Sequence, residues 1–220
     1  MSDLAQRPAL VILDCDGVVV DSETLTNQMI RDELAEHGLD LPLSEIMSLF
    51  VGGTIAGLAE QARKMGAGLP TDWVETFYPR LCAHLAQGTP LIPGIVTVLD
   101  QLDACEIPYC VASNGRHAKL AATLGQHPAV LERLRGHIWA AQDVARPKPA
   151  PDLFLHAARQ MGHAPEHCVV IEDSPNGARA AQAAGMRCFG YAPDRNGEKL
   201  RAEGACVFHD MAGLPRLLRL

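Results

Sequence analysis

Apolar residues along this chain follow two different rhythms. Five stand in a row at Ala9-Leu10-Val11-Ile12-Leu13, and a run that short and that β-branched predicts a buried strand. From Ser22 to Gly88 the spacing becomes helical. Leu25, Met29, Ile30 and Leu34 fall on one side of a first helix, which Ser22 is placed to cap and which ends near Gly38. Ile55, Leu58, Ala59 and Ala62 mark a second helix after Gly52-Gly53. Trp73, Val74, Phe77, Leu81 and Leu85 mark a third, started by Thr71 or Asp72.

Beyond Pro90-Leu91-Ile92-Pro93-Gly94 the two rhythms alternate. Helices are predicted at 95–104, 117–124, 152–161 and 175–184, and strands at 109–112, 138–140, 168–171, 187–190 and near 206–208. Strands alternating with helices specify an α/β fold, a parallel sheet covered on both faces. Residues 1–21 and 89–220 are therefore expected to form that core. Residues 22–88 are expected to be an all-helical insert, hinged near Asp21-Ser22 and at the Pro90/Pro93 pair.

Composition narrows the partners. A net charge of −7 and a pI near 5.7 argue against nucleic acid, whose phosphates need a basic face. They leave room for a phosphorylated small molecule, because one local cation can invert the field of a site. No apolar stretch approaches membrane-spanning length, so no membrane partner is expected. Asp14 and Asp16 fall where a signal peptide would need a clean apolar core. Seven cysteines are scattered without a C-x-x-C pair, three of them in apolar runs, which reads as free thiols in a cytoplasmic protein.

Three predicted strands end in polar residues on what should be one edge of the sheet. The first ends in Asp14-Cys15-Asp16-Gly17, the second in Ser113-Asn114-Gly115, and the fourth in Glu172-Asp173-Ser174-Pro175. The carboxyl edge is where open α/β sheets bind ligands. One of the first two acids could attack phosphorus while the other exchanges protons with the leaving group. Between the later segments stands Lys148, with prolines on both sides expected to hold it extended. Cys15 should point to the opposite side of the chain, into the core. Ser174 suits a helix N-cap and Pro175 the first helical turn. Arg116 and Arg146 flank the motifs, as substrate contacts or as solvated side chains, and His117 reads as a solvent-facing first-turn histidine.

An Asp-x-Asp-Gly, a Ser-Asn-Gly, a Lys-Pro and a Glu-Asp-Ser in this order resemble the haloacid dehalogenase superfamily over essentially the whole chain. The resemblance is to its β-phosphoglucomutase-like branch, mostly small-molecule phosphatases, and implies a doubly wound, Rossmann-like core with a helical cap. By that resemblance Asp14 is the nucleophile that forms an aspartyl-phosphate, and Asp16 protonates the leaving oxygen and then activates water. Mg²⁺ would be held by Asp14, the backbone carbonyl of Asp16 and Asp173, with Glu172 acting through a water. Lys148 adds a fixed cation, and Ser113, Asn114 and Gly115 grip the phosphate oxygens. The loop Gly52-Gly53-Thr54, at minimum a connector between helices, corresponds to a cap loop that reaches over the active site in related proteins.

The expected activity is a Mg²⁺-dependent phosphatase of small phosphomonoesters, sugar phosphates among them. The nearest rival is a phosphomutase of the same branch. That group carries a histidine where this chain has Thr26 and an arginine where it has Ile55. A catalytically silent binding protein on the same fold is the remaining alternative, although every catalytic position is filled. True dehalogenases of the superfamily lack the second acid, Asp16.

Overall fold

The computed structural model describes residues 7–50, 53–194 and 196–220. Six parallel strands, β1 (Leu10–Leu13), β2 (Tyr109–Ser113), β3 (Ile138–Ala140), β4 (Cys168–Glu172), β5 (Arg187–Tyr191) and β6 (Cys206–Phe208), form one sheet in the order β3-β2-β1-β4-β5-β6. Each central strand is apolar on both sides because it feeds two cores. Val11, Leu13, Val111, Val169 and Ile171 pack into one face, while Leu10, Ile12, Cys110, Ala112 and Val170 pack into the other. Such enclosure is what a four-residue run without alternation specifies.

Four helices, α1 (Glu23–Glu36), α2 (Leu43–Phe50), α3 (Ile55–Lys64) and α4 (Trp73–Leu85), follow β1 with no intervening strand among the described residues and have their own apolar cluster. Trp73 and Phe77 stack there with ring centroids 4.5 Å apart. The remaining helices, α5 (Ile95–Ala104), α6 (His117–Leu124), α7 (Pro128–Arg133), α8 (Asp152–Gln160), α9 (Pro175–Ala183), α10 (Glu198–Ala202) and α11 (Leu214–Leu218), cover the sheet. Sequence periodicity missed α2, α7, α10 and α11. At five to eight residues each, they are too short to show a period.

The two chain crossings between helical block and core run side by side. Asp21 donates its N–H to the Pro90 carbonyl at 2.8 Å, and Ile92 donates to Val19 at 3.0 Å. Ser22 does not cap α1 as its position suggested: its hydroxyl donates to the Asp16 carboxylate instead. Asp72, at the start of α4, likewise makes no side-chain cap bond.

Strand order reverses between β1 and β4, since the chain fills one side of β1 with β2 and β3 before crossing to β4. Leu13 is in register with both Val111 and Ile171, so the residues just beyond them emerge together. That crevice is where doubly wound sheets receive ligands.

Candidate active site

Asp14 leaves β1 with its N–H on the Ile171 carbonyl at 2.9 Å, and its carboxylate accepts the Lys148 ammonium at 2.5 Å. The same ammonium donates to Glu172 at 2.8 Å and lies 4.6 Å from the Phe154 ring centroid. Lys148 is 4% exposed, so this charge is shielded from bulk water. Rather than a straight extended run, Pro147–Ala150 makes a tight turn closed by the Ala150 N–H on Pro147 at 3.0 Å. The Asn114 amide fixes the turn by two reciprocal bonds to the Lys148 backbone, both 2.9 Å.

Glu172 anchors the third corner. One oxygen takes Lys148; the other accepts the N–H groups of Asp173 at 3.0 Å and Ser174 at 2.8 Å and the Ser174 hydroxyl at 2.8 Å. Ser174 in turn caps α9 by accepting the Gly177 N–H at 3.1 Å, as its position before Pro175 predicted. A side chain at Gly177 would meet the Glu172 carboxylate at 1.8 Å. Gly17 has φ +76°, and a Cβ there would lie 1.9 Å from the Asp173 carboxylate. Both glycines are thus space that two acids occupy.

Asp16 has its own cation. Lys119, from the first turn of α6, reaches it at 2.8 Å and is itself buried. Ser113, at the end of β2, accepts the Gly115 N–H at 3.0 Å and is 1% exposed. Gly53 and Thr54 come over the same cavity from the helical block, Thr54 capping α3 through the Gly57 N–H at 3.0 Å. Gly52 lies outside the described residues.

Electrostatics separates the two acids of the first motif. Burial pushes the Asp14 carboxyl up to about 7; Lys148 opposes this and the Glu172 and Asp16 charges reinforce it. Burial would raise Asp16 as well, but the charge and hydrogen bond of Lys119 and the Ser22 hydroxyl hold it below the usual carboxylate range. Asp173 is pushed well above that range, first by burial and then by Glu172, Glu23, Asp14 and Asp16. Around the cavity these five carboxylates outnumber two ammonium groups, Lys119 and Lys148. A further cation would ease the approach of a phosphate dianion to this cluster of acids.

Lys119 escaped the sequence reading, although one signal was available. A lysine in the first turn of a helix stands against the helix dipole and needs a nearby acid to justify it. Arg116 and Arg146 do not reach free into the cavity. Arg116 pairs with Glu75 at 2.7 and 3.0 Å and lies 4.8 Å over the Tyr78 ring, tying core to helical block. Arg146 pairs with Asp152 at 2.8 and 3.0 Å. His117 is exposed and pairs with Asp143 at 2.9 Å. Cys15 is buried in the core beneath the sheet edge.

A family model described as haloacid dehalogenase-like hydrolase matches residues 8–185. The chain is 28% identical over 213 residues to the 6-phosphogluconate phosphatase of Escherichia coli (strain K12), covering 96% of this chain and 95% of that protein. It is 30% identical over 187 residues to the probable pseudouridine-5'-phosphatase of Drosophila melanogaster, covering 80% and 78%. A haloacid dehalogenase-like protein of solved structure from Agrobacterium tumefaciens superposes with a TM-score of 0.82 at 31% identity, over 96% of this chain and 97% of that one.

Proposed function

The chain belongs to the haloacid dehalogenase-like hydrolases and is a phosphoric monoester hydrolase, and we propose that it hydrolyses a small sugar-type phosphate through an aspartyl-phosphate on Asp14. The observation that carries this reading is the pairing of each acid of the first motif with its own buried lysine, Asp14 with Lys148 and Asp16 with Lys119. Asp14 is buried, fixed by its backbone at the strand end and turned to the cavity, as a nucleophile requires. Asp16 is two residues on, where in its protonated form it gives its proton to the departing oxygen and, as the carboxylate so formed, takes one back from the water that attacks the acyl phosphate.

The surplus of buried carboxylates fits a hard divalent cation. Among the described residues no three His, Cys, Asp or Glu side chains form a ready-made cage. A set of two carboxylates and one carbonyl is what Mg²⁺ accepts, since it keeps several waters. Asp14, Asp173 and the Asp16 carbonyl would hold it, with Glu172 acting on its water shell. The ion would supply the positive charge that lets a phosphate dianion approach Asp14. Lys148 draws charge from the same oxygens, Ser113 and the Asn114-Gly115 turn receive the others, and Asn114 keeps Lys148 in place.

The helical block, residues 22–88, acts as a lid over this edge and reads the leaving group through Thr54 and its neighbours. The phosphomutase alternative gains nothing here, because positions 26 and 55 line the cavity as Thr and Ile. With all seven thiols unpaired, the setting we propose is the reducing cytoplasm.

The test is phosphate release from an aryl phosphate with and without Mg²⁺, for the wild type and Asp14→Asn. Metal-dependent turnover in the wild type and a loss of at least about 10⁴-fold in the variant are expected. Retention of more than about one hundredth of the wild-type rate in Asp14→Asn would overturn the nucleophile.

A further inference from the structure

Behind the catalytic edge the cavity is walled by the helical block, and the chemistry of that wall differs from the chemistry below it. Thr26, Asn27 and Glu23 come from the first turns of α1, Thr54 from the start of α3 and Tyr78 from α4. Thr26 is 9% exposed, and its Oγ is the buried side-chain polar atom that finds no hydrogen-bond partner among the described residues. A buried hydroxyl left unpaired costs stability unless something arrives to pair it. Tyr78 accepts the Arg116 N–H at 2.7 Å and Thr54 accepts the Gly57 N–H at 3.0 Å, so each hydroxyl keeps its own proton to donate. Ile30, Ile55 and Leu58 fill the surface between these groups.

The wall offers hydroxyl and amide groups, apolar surface and one carboxylate. Among the described residues lining the cavity the cations are Lys119 and Lys148, and both sit on catalytic acids. Arg116, just outside, is spent on Glu75 and Tyr78. Among the described residues lining this cavity no free guanidinium or ammonium stands beside Glu23 to receive a second anion; Lys199 borders the adjoining cleft that Glu23 also lines, where it donates to Ser48 at 3.1 Å.

We propose that this site takes phosphate esters whose leaving group is an uncharged polyol or sugar, with Thr26 pairing one of its hydroxyls and Glu23 rejecting esters that carry a carboxylate or a second phosphate. This rests on the phosphatase reading above and narrows its substrate class. Repulsion by one half-buried carboxylate with no compensating cation lining the cavity is expected to cost a doubly anionic ester at least about tenfold in kcat/KM.

The experiment uses the full chain with Mg²⁺ and matched esters: glucose 6-phosphate against 6-phosphogluconate, fructose 6-phosphate against fructose 1,6-bisphosphate, and three- to five-carbon polyol phosphates against the corresponding acids. An aryl phosphate reports the chemical step. Preference for the uncharged member of each pair by about tenfold or more is the expected result. Aryl phosphate turnover with equal, reversed or absent turnover of the uncharged members overturns the inference and leaves the phosphatase reading standing. No aryl phosphate turnover at all sinks both. Thr26→Val, which keeps the shape and removes the hydroxyl, should lower kcat/KM for the uncharged esters several-fold more than for the aryl phosphate; equal losses would remove Thr26 from recognition. Glu23→Gln should shrink the ratio between uncharged and doubly anionic esters, and an unaltered ratio would show that Glu23 does not select charge. Thermal melts of both variants establish that they fold.

Discussion

The sheet edge and the helical wall facing it divide the cavity into two unlike halves. On the sheet side the groups are charged and nearly all engaged: Asp14, Glu172 and Lys148 form one connected cluster, Asp16, Lys119 and Ser22 another. On the helical side they are mostly neutral, and the Thr26 hydroxyl has no partner among the described residues. A dry, fully bonded charge cluster is preorganised and costs no rearrangement when charge develops. A wall of loosely committed hydroxyls suits discrimination between leaving groups, where each contact contributes modestly. On the function proposed above, labour is separated, with chemistry at the strand ends and selection on a face that can vary independently.

That separation can be broken from either side. The largest effect after loss of the nucleophile should come from Lys148→Ala, a fall of about 10²–10³ in kcat for every substrate alike. Lys148→Arg should not restore it, because a planar guanidinium does not fit where one ammonium bridges Asp14 and Glu172. Steady-state kinetics on an aryl and a sugar phosphate would check both, and substrate-dependent losses would blur the division.

Lys119→Met should cost about ten- to a hundredfold and act mainly on the second half-reaction. Without Lys119, burial favours the protonated Asp16 carboxyl, which cannot accept a proton from water. Intact-mass measurement after rapid quench of an aryl phosphate reaction should show a phospho-adduct of 80 Da that the wild type does not accumulate (about the mass of one phosphoryl group). Slow turnover without that adduct would place Lys119 in the first step.

In the helical block the expected effect is on stability. Glu33 is buried beneath α4, accepting the Trp73 indole N–H at 3.1 Å and the Arg80 guanidinium. Burial would raise its carboxyl, but these bonds and the Arg80 charge hold it below its ordinary value of 4.5. A depressed folded-state value means the stabilisation is complete at neutral pH and is lost as pH falls through that folded value. Glu33→Gln should therefore be less stable than wild type by about 1–2 kcal/mol near pH 7. The gap should close below about pH 4.5. Denaturant melts across that range would show it, and a pH-independent gap would mean packing rather than charge is involved.

The smallest change should come from Thr54→Ala: a several-fold rise in KM for sugar phosphates, with aryl phosphate hydrolysis changing less. Equal changes would show that the loop supports the chemistry as well as selection.

What the chain determined alone was the layout of the sheet and of its polar carboxyl edge. The run at 9–13, its echoes at 109–112 and 168–171, and the acids that end them are local signals, because a buried strand needs continuous apolar sequence and its exit must be polar. Order along the chain then fixes which strand ends share one edge. The helical block was legible only as helices. Leu25, Met29, Ile30 and Leu34 announced an apolar side of α1, yet Thr26, Asn27 and Glu33 are buried too, one set against the cavity and one against α4. Periodicity locates the face that avoids water, and it says nothing about a polar face covered by another element. Only the tertiary structure brought Lys119 to Asp16, turned Ser22 from a helix cap to a partner of that acid, and occupied Arg116 with Glu75. Each of these depends on residues far apart in sequence or on competition between two partners, and a long-range pairing leaves no trace in the local pattern that decides secondary structure.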